Sequence, residues 1–246
     1  MKNEPVTRRS FVTLSAVAGA AFVLGFRADD ARGATPGAIG LVDPETGRVR
    51  DADWTPNLYL SIDAQGVVRI MSHKSEMGQG VWTALPMIVA EELDADWSKV
   101  RVERAPTNGK YQTSTGGSTS VRTSWTPLRN AGATARAMLV AAAARQWGVP
   151  ASECRTEAGV VSHASGKRAT YGELAAAAAQ VPVPAASEVR LKSPADYRII
   201  GKATPRLDLP AKVNGEMKFG IDTRVPGMLY ASVARCPVIG GSIRSV

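Results

Sequence analysis

The chain has 246 residues, with 30 Lys and Arg against 22 Asp and Glu, two cysteines (Cys154 and Cys236) and two histidines (His73 and His163). An iron-sulfur cluster normally takes four cysteine ligands, so this chain holds none by itself, and its histidines are too few for a zinc site without carboxylate help. The formal net charge of +8 favours solubility and anionic partners such as anionic lipid or a nucleotide pyrophosphate. Lys and Arg are nonetheless scattered, with no basic run and no interleaved aromatics, which argues against nucleic acid.

Residues 1–33 read as a twin-arginine export signal: Thr7-Arg8-Arg9-Ser10-Phe11 precedes an apolar run from Val12 to Phe26, and Ala31-Arg32-Gly33 offers small residues for cleavage. The run is shorter than the roughly 20 residues of a membrane helix, although an uncleaved anchor remains open. Such a route carries folded proteins and predicts a periplasmic location, with membrane association left open. Beyond residue 33, Lys and Arg still outnumber Asp and Glu by 25 to 19. In an oxidising compartment Cys154 and Cys236 pair or stay free; spacing alone does not decide.

Residues 34–56 are rich in Gly, Pro and Asp without periodicity and read as a linker. Leu58 to Ile62 and Val67 to Ser72, joined by Asp63-Ala64-Gln65-Gly66, predict a hairpin. It delivers a glycine-rich segment, Ser75-Glu76-Met77-Gly78-Gln79-Gly80. A helix is predicted from Gly80 or Val81 through Leu93, kinked by Pro86 in its first turns, and a strand over Val100 to Ala105. A second such segment, Thr115-Gly116-Gly117-Ser118-Thr119-Ser120, leads to a long Ala-rich helix expected to start at Thr126-Pro127 and stop at Gly148. The small residues of Ala131 to Ala144 are expected to pack closely in the core. A short hairpin around Ala158-Gly159 and a helix from Tyr171 to about Gln180 follow.

Residues 181–200 contain several prolines and read as an interdomain linker. Beyond it, Met217 to Ile221 and Met228 to Arg235 are strand-like, so 201–246 is expected to begin a β-rich domain. Cut at Val246, that domain would leave strand edges unpaired, and the chain is expected to be the N-terminal piece of something longer. The overall expectation is α+β.

Paired glycine segments with short polar side chains allow close backbone approach of a ligand. Successive turn amides form an anion-binding concavity, and the helix start after the first segment would favour a phosphate.

The string E-M-G-Q-G-V-W-T with A-E-E-L, then G-G-S-T-S, P-R-L-D-L-P-A-K-V-N-G and P-G-M-L-Y-A-S-V-A-R-C-P, resembles the molybdopterin-binding subunit of the molybdenum hydroxylases. These are the xanthine dehydrogenase and aldehyde oxidoreductase family. The cofactor segment precedes the hammerhead-like stretch, an order that resembles the exported subgroup typified by the isoquinoline 1-oxidoreductase beta subunit and membrane-associated aldehyde dehydrogenases. The resemblance implies a molybdopterin-binding domain segment over 57–180 and the incomplete start of a hammerhead-like domain over 201–246. It implies hydroxylation of an aldehyde or N-heteroaromatic substrate with water-derived oxygen at a molybdenum held by molybdopterin cytosine dinucleotide. Electrons would leave to a separate 2Fe-2S small subunit and then to a cytochrome c subunit.

In this family Met77, Gly78, Gln79 and Gly80 would line the pterin and dinucleotide, with backbone amides and the Gln79 carboxamide as donors. Gly117, Ser118 and Ser120 would supply a second set of contacts. The family's general base is a glutamate in a late G-x-G-E motif, which this sequence lacks. Glu76, Glu91 and Glu92 are poor replacements, so no catalytic residue is assigned and the chain alone is expected to show no turnover. Met87 stands where the broader family often has glutamine. The alternative reading is a non-catalytic exported binding or scaffold module that holds a nucleotide or a partner subunit.

Overall fold

The structure, a computed structural model, describes residues 54–106, 111 and 113–242. The export signal at 1–33 and nearly all of the 34–56 linker lie outside the described residues. The chain divides by packing into two units, one ending at Asp208 and one beginning at Leu209.

The first unit is built on two small sheets and a helix pair, a mixed α and β architecture. The first sheet has the order β1 (Trp54–Asn57), β2 (Leu60–Ile62), β3 (Val68–Ser72), β4 (Val100–Arg104). The expected hairpin is present, with Leu60 opposite Ile70 and Ile62 opposite Val68. Its turn follows from Asp63, whose Oδ1 accepts the amides of Gln65 and Val67, and from Gly66, which supplies φ 76°. β4 pairs parallel to β3, Val68 opposite Val100 through Ser72 opposite Arg104, so the chain must cross over between them. Helix α1 (Val81–Leu93) makes that crossover.

Helix α2 (Ser120–Trp147) packs along α1. It ends where expected, with Gly148 left-handed at φ 67°, but it starts at Ser120 rather than after Thr126. Pro127 lies inside the helix, and the turn before it is secured by Thr123, whose amide and hydroxyl both reach the Thr119 carbonyl. Pro127 is the eighth residue of the helix, beyond its first turn, so it cannot donate to the Thr123 carbonyl and its ring crowds that carbonyl; the packing of the helix against its neighbours outweighs this cost. The small residues of this helix do pack tightly: Ala131, Gly132, Ala133, Ala135 and Ala142 to Ala144 are buried.

The second sheet is the meander β5 (Cys154–Glu157), β6 (Val160–His163), β7 (Arg168–Thr170). It leads into α3 (Tyr171–Ala178), which opens on a capping box between Thr170 and Glu173. The core joins both sheets and the helices, with Leu60, Ile62, Ile70, Leu85, Leu93, Leu139, Val161 and Leu174 all buried.

The second unit contains helix α4 (Leu209–Val213). The strands expected over Met217 to Ile221 and Met228 to Arg235 are not formed; residues 220–222 make a 3-10 turn and 228–235 carry no regular structure. A strand is stable only against a partner, and among the described residues of this unit none pairs with these runs. Both thiols are free; Cys154 is half-buried and Cys236 exposed.

Candidate functional site

The fold brings the two glycine segments together. Each follows the carboxyl end of one of two adjacent parallel strands: residues 73–80 run from β3 to α1, and those up to 119 from β4 to α2. In open α/β sheets that is where ligands bind. Lys74 Nζ donates to the Ser114 carbonyl at 2.8 Å, and the Ser75 amide donates to Thr115 Oγ1 at 3.0 Å. Lys74 is buried, and burial lowers its pKa.

The first segment is a closed network centred on Glu76. Its Oε1 accepts the amides of Gly78 at 2.7 Å and Gly80 at 3.1 Å, and its Oε2 accepts that of Trp82 at 3.0 Å. The Gln79 side chain bridges the same turn, accepting the Met77 amide at 2.6 Å and donating to the Ser75 carbonyl at 2.7 Å. Gly78 and Gly80 have φ of 105° and 85°, which only glycine adopts without strain. The donors expected to face a ligand are thus engaged inside the turn. Glu76 also sits where a phosphate would have met the α1 N-terminus, so the anion of that helix start is the protein's own carboxylate. The Met77 side chain projects into solvent.

The second segment differs. Gly117 and Ser118 both take left-handed φ, 60° and 53°, and Ser120 is the first residue of α2. No side chain caps this helix and no acidic residue occupies its first turn. The Ser118 side chain is exposed and that of Ser120 half-buried. Gly116 has neither a positive φ nor any described atom within 4 Å of where a Cβ would stand. Neither strain nor crowding accounts for glycine there.

Beneath the segments lies a polar cluster. His73 is buried, with Nε2 3.1 Å from Ser124 Oγ and Nδ1 without a hydrogen-bond partner. Burial, and then the Lys74 charge, lower its pKa to about 4. Tyr59 stacks obliquely on His73 and meets Tyr111 edge-on, and Tyr111 donates to the Leu58 carbonyl at 2.7 Å. Burial, then Tyr59, push the Tyr111 phenol up to about 12.

Glu91 and Glu92 lie at the other end of α1 and are buried. Glu91 accepts Lys192 Nζ and the amides of Arg198, Ile199 and Ile200; Glu92 accepts Arg129 and the Lys192 amide. Burial alone would raise the Glu91 pKa, but Lys192 and the three amides overcome it and hold the carboxylate below its ordinary range. Among the described residues no group of three or more His, Cys, Asp or Glu side chains is arranged to hold a metal.

Over residues 35–215 the sequence matches the molybdopterin cofactor-binding domain family. The chain belongs to that family. It is 39% identical over 85% of its length to isoquinoline 1-oxidoreductase subunit beta of Brevundimonas diminuta, covering 32% of that protein. It is 36% identical over 98% of its length to the membrane-bound aldehyde dehydrogenase [pyrroloquinoline-quinone] of Gluconacetobacter polyoxogenes, covering 31% of it. The chain therefore spans about a third of the length of these relatives. Among solved structures, quinoline 2-oxidoreductase from Pseudomonas putida 86 is 23% identical, with a TM-score of 0.41, over 52% of this chain and 17% of that one.

The second segment thus offers an open glycine, the exposed Ser118 hydroxyl and an uncapped helix start, features that suit an anion. Sequence reasoning passed over Glu76 as an organising group and missed Lys74, Arg206 and Asp208. Arg206 reaches Glu76 from 130 residues away, at 3.0 Å, and no local spacing encodes that.

Proposed function

We propose that this chain forms part of a molybdenum hydroxylase, an oxidoreductase that oxidises an aldehyde or N-heteroaromatic carbon with oxygen derived from water. In this reading Met77, Gly78, Gln79 and Gly80 form one wall of the cofactor cleft and Gly117, Ser118 and Ser120 the other. The cofactor is molybdopterin cytosine dinucleotide, whose dithiolene holds the metal; when bound, it supplies the redox chemistry. Ser118 and Ser120 hydroxyls and the α2 N-terminus bind and orient the anionic end, a task the α1 N-terminus cannot share because Glu76 fills it. Lys74 places a buried positive charge behind both segments.

Electrons pass to a 2Fe-2S small subunit and on to a cytochrome c subunit. The protein is exported to the periplasm by the twin-arginine route, and 201–246 opens a hammerhead-like domain. With no G-x-G-E glutamate to act as base, the chain by itself turns over no substrate.

The carrying observation is Gly116, glycine with no local reason to be one, at the mouth of two segments that the fold sets side by side. The test is G116L in the assembled enzyme. An added Cβ meets no described atom within 4 Å, so the melting temperature is expected to hold. Molybdenum and cytidine nucleotide released on denaturation are expected to fall several-fold. Full cofactor content in G116L would remove the second segment from the site.

A further inference from the structure

Residues 192–208 run the length of α1. At its C-terminal end, Lys192 donates its amide to Glu92 at 3.0 Å and its ammonium to Glu91 at 2.8 Å and Asp94 at 2.5 Å. The amides of Arg198, Ile199 and Ile200 then converge on Glu91. At the N-terminal end, the Leu207 amide donates to Thr83 Oγ1 at 3.0 Å. Beside it Arg206 reaches the first glycine turn, Nη1 to the Gly78 carbonyl at 2.9 Å and Nη2 to Glu76 Oε1 at 3.0 Å. Asp208, buried, fixes the other edge of the guanidinium, accepting Nε at 3.1 Å and Nη2 at 3.0 Å.

The strap is thus tied at one end by buried carboxylates and at the other to the carboxylate that shapes the glycine turn. Glu76 holds two amides of the turn and the Trp82 amide at the start of α1, and its charge is balanced by a residue of the strap. The planar fork of Arg206 is what makes this possible. It serves a carbonyl and two carboxylates at once, which a lysine ammonium cannot do in the same geometry.

We propose that Arg206 is a positioning residue for the cofactor turn: the 192–208 strap sets the conformation of Ser75–Gly80 through Glu76, and so decides whether the pterin dinucleotide is retained. The proposal rests on the cofactor reading given above. It assigns Arg206 no contact with cofactor or substrate.

The experiment compares R206Q and R206K with the unaltered protein in the assembled enzyme, by peptide-resolved hydrogen exchange, melting temperature and molybdenum per chain. R206Q is expected to speed exchange across residues 76–82 by about tenfold, while exchange in the rest of α1 and in α2 holds, as for a local opening; the melting temperature falls, because the buried Glu76 and Asp208 carboxylates lose the Arg206 cation. Molybdenum content is expected to drop several-fold, and R206K is expected not to restore it. Exchange in R206Q equal to that of the unaltered protein overturns the latch. Faster exchange with full molybdenum content overturns the positioning role. An unaltered enzyme without molybdenum overturns the cofactor reading, and the exchange measurement, which needs no cofactor, tells that failure from the other two.

Discussion

His73 follows β3 with one ring nitrogen on Ser124 and the other without a hydrogen-bond partner, in a site that disfavours its charge. An unfolded histidine titrates near 6.5, whereas here the pKa is lowered to about 4 by burial and by Lys74. Between those values the unfolded chain binds a proton that the folded chain refuses. Stability from this residue is therefore whole above about pH 6.5, is lost as the pH falls toward 4, and amounts to about 3 kcal/mol at most. Urea midpoints measured from pH 7 to 4.5 should fall less steeply in H73Q than in the unaltered protein; parallel curves would show that His73 is not responsible. The residue scale also shows what a single sequence hides. Gly78 and Gly80 were readable as a turn because glycine is the residue that takes positive φ. Glu76 was not readable as its centre, because its role depends on amides folded back around it and on an arginine far along the chain.

At the scale of elements, α1 is the most constrained piece of the molecule. Its N-terminus is closed by Glu76, its C-terminus by Asp94 in a left-handed conformation, and its flank by α2. The helices approach so closely at Gly132 that an added Cβ would stand against the Val89 carbonyl and 3.0 Å from Glu92 Cβ. G132A is expected to destabilise by about 1–3 kcal/mol, the cost of overpacking a backbone contact, read as a shift in denaturant midpoint; a neutral substitution would mean that the helices can part. At the opposite end E91Q leaves Lys192 with Asp94 alone and weakens three amide bonds. Breaking one side of such a buried pair costs about 3 kcal/mol, and the loss should appear in equilibrium unfolding with faster exchange of the amides of Arg198 to Ile200. The extent of α1 was legible in the sequence because its apolar residues recur at helical spacing between Gly80 and Asp94. The start of α2 was not, since Thr126-Pro127 is a sound capping pair that the tertiary structure overrides from Ser120 onward. Residues 181–200 looked like a linker because their composition is that of one, yet buried carboxylates on α1 hold Lys192 and Arg198 to Ile200 in place.

Across the whole molecule, the exposure of a side chain and the hydrogen bonding of its backbone are separate properties, and proteolysis can tell them apart. The first unit carries the core, whereas from Leu209 onward large apolar side chains such as Leu229 and Val233 remain 91% and 81% exposed. That contrast explains why strand-like composition misled in the second unit. Met217 to Ile221 and Met228 to Arg235 have the composition of strands, but composition cannot supply a partner strand. Trypsin needs a segment that opens locally, not merely an accessible side chain. Arg198 has an exposed guanidinium paired with Glu157, yet its amide is bound to Glu91 and the two that follow are bound as well. Lys218, Arg224 and Arg235 are exposed along a backbone with few bonds. Among the described residues, brief digestion should therefore cut early after Lys218, Arg224 and Arg235 and leave the bond after Arg198 intact, as read by intact-mass spectrometry. In E91Q cleavage after Arg198 should become early, because Gln keeps only one of the two oxygens that accept the backbone amides there, while the Arg198 side chain stays as exposed as before. Early cleavage after Arg198 in the unaltered chain would mean that the Glu91 bonds do not hold the strap.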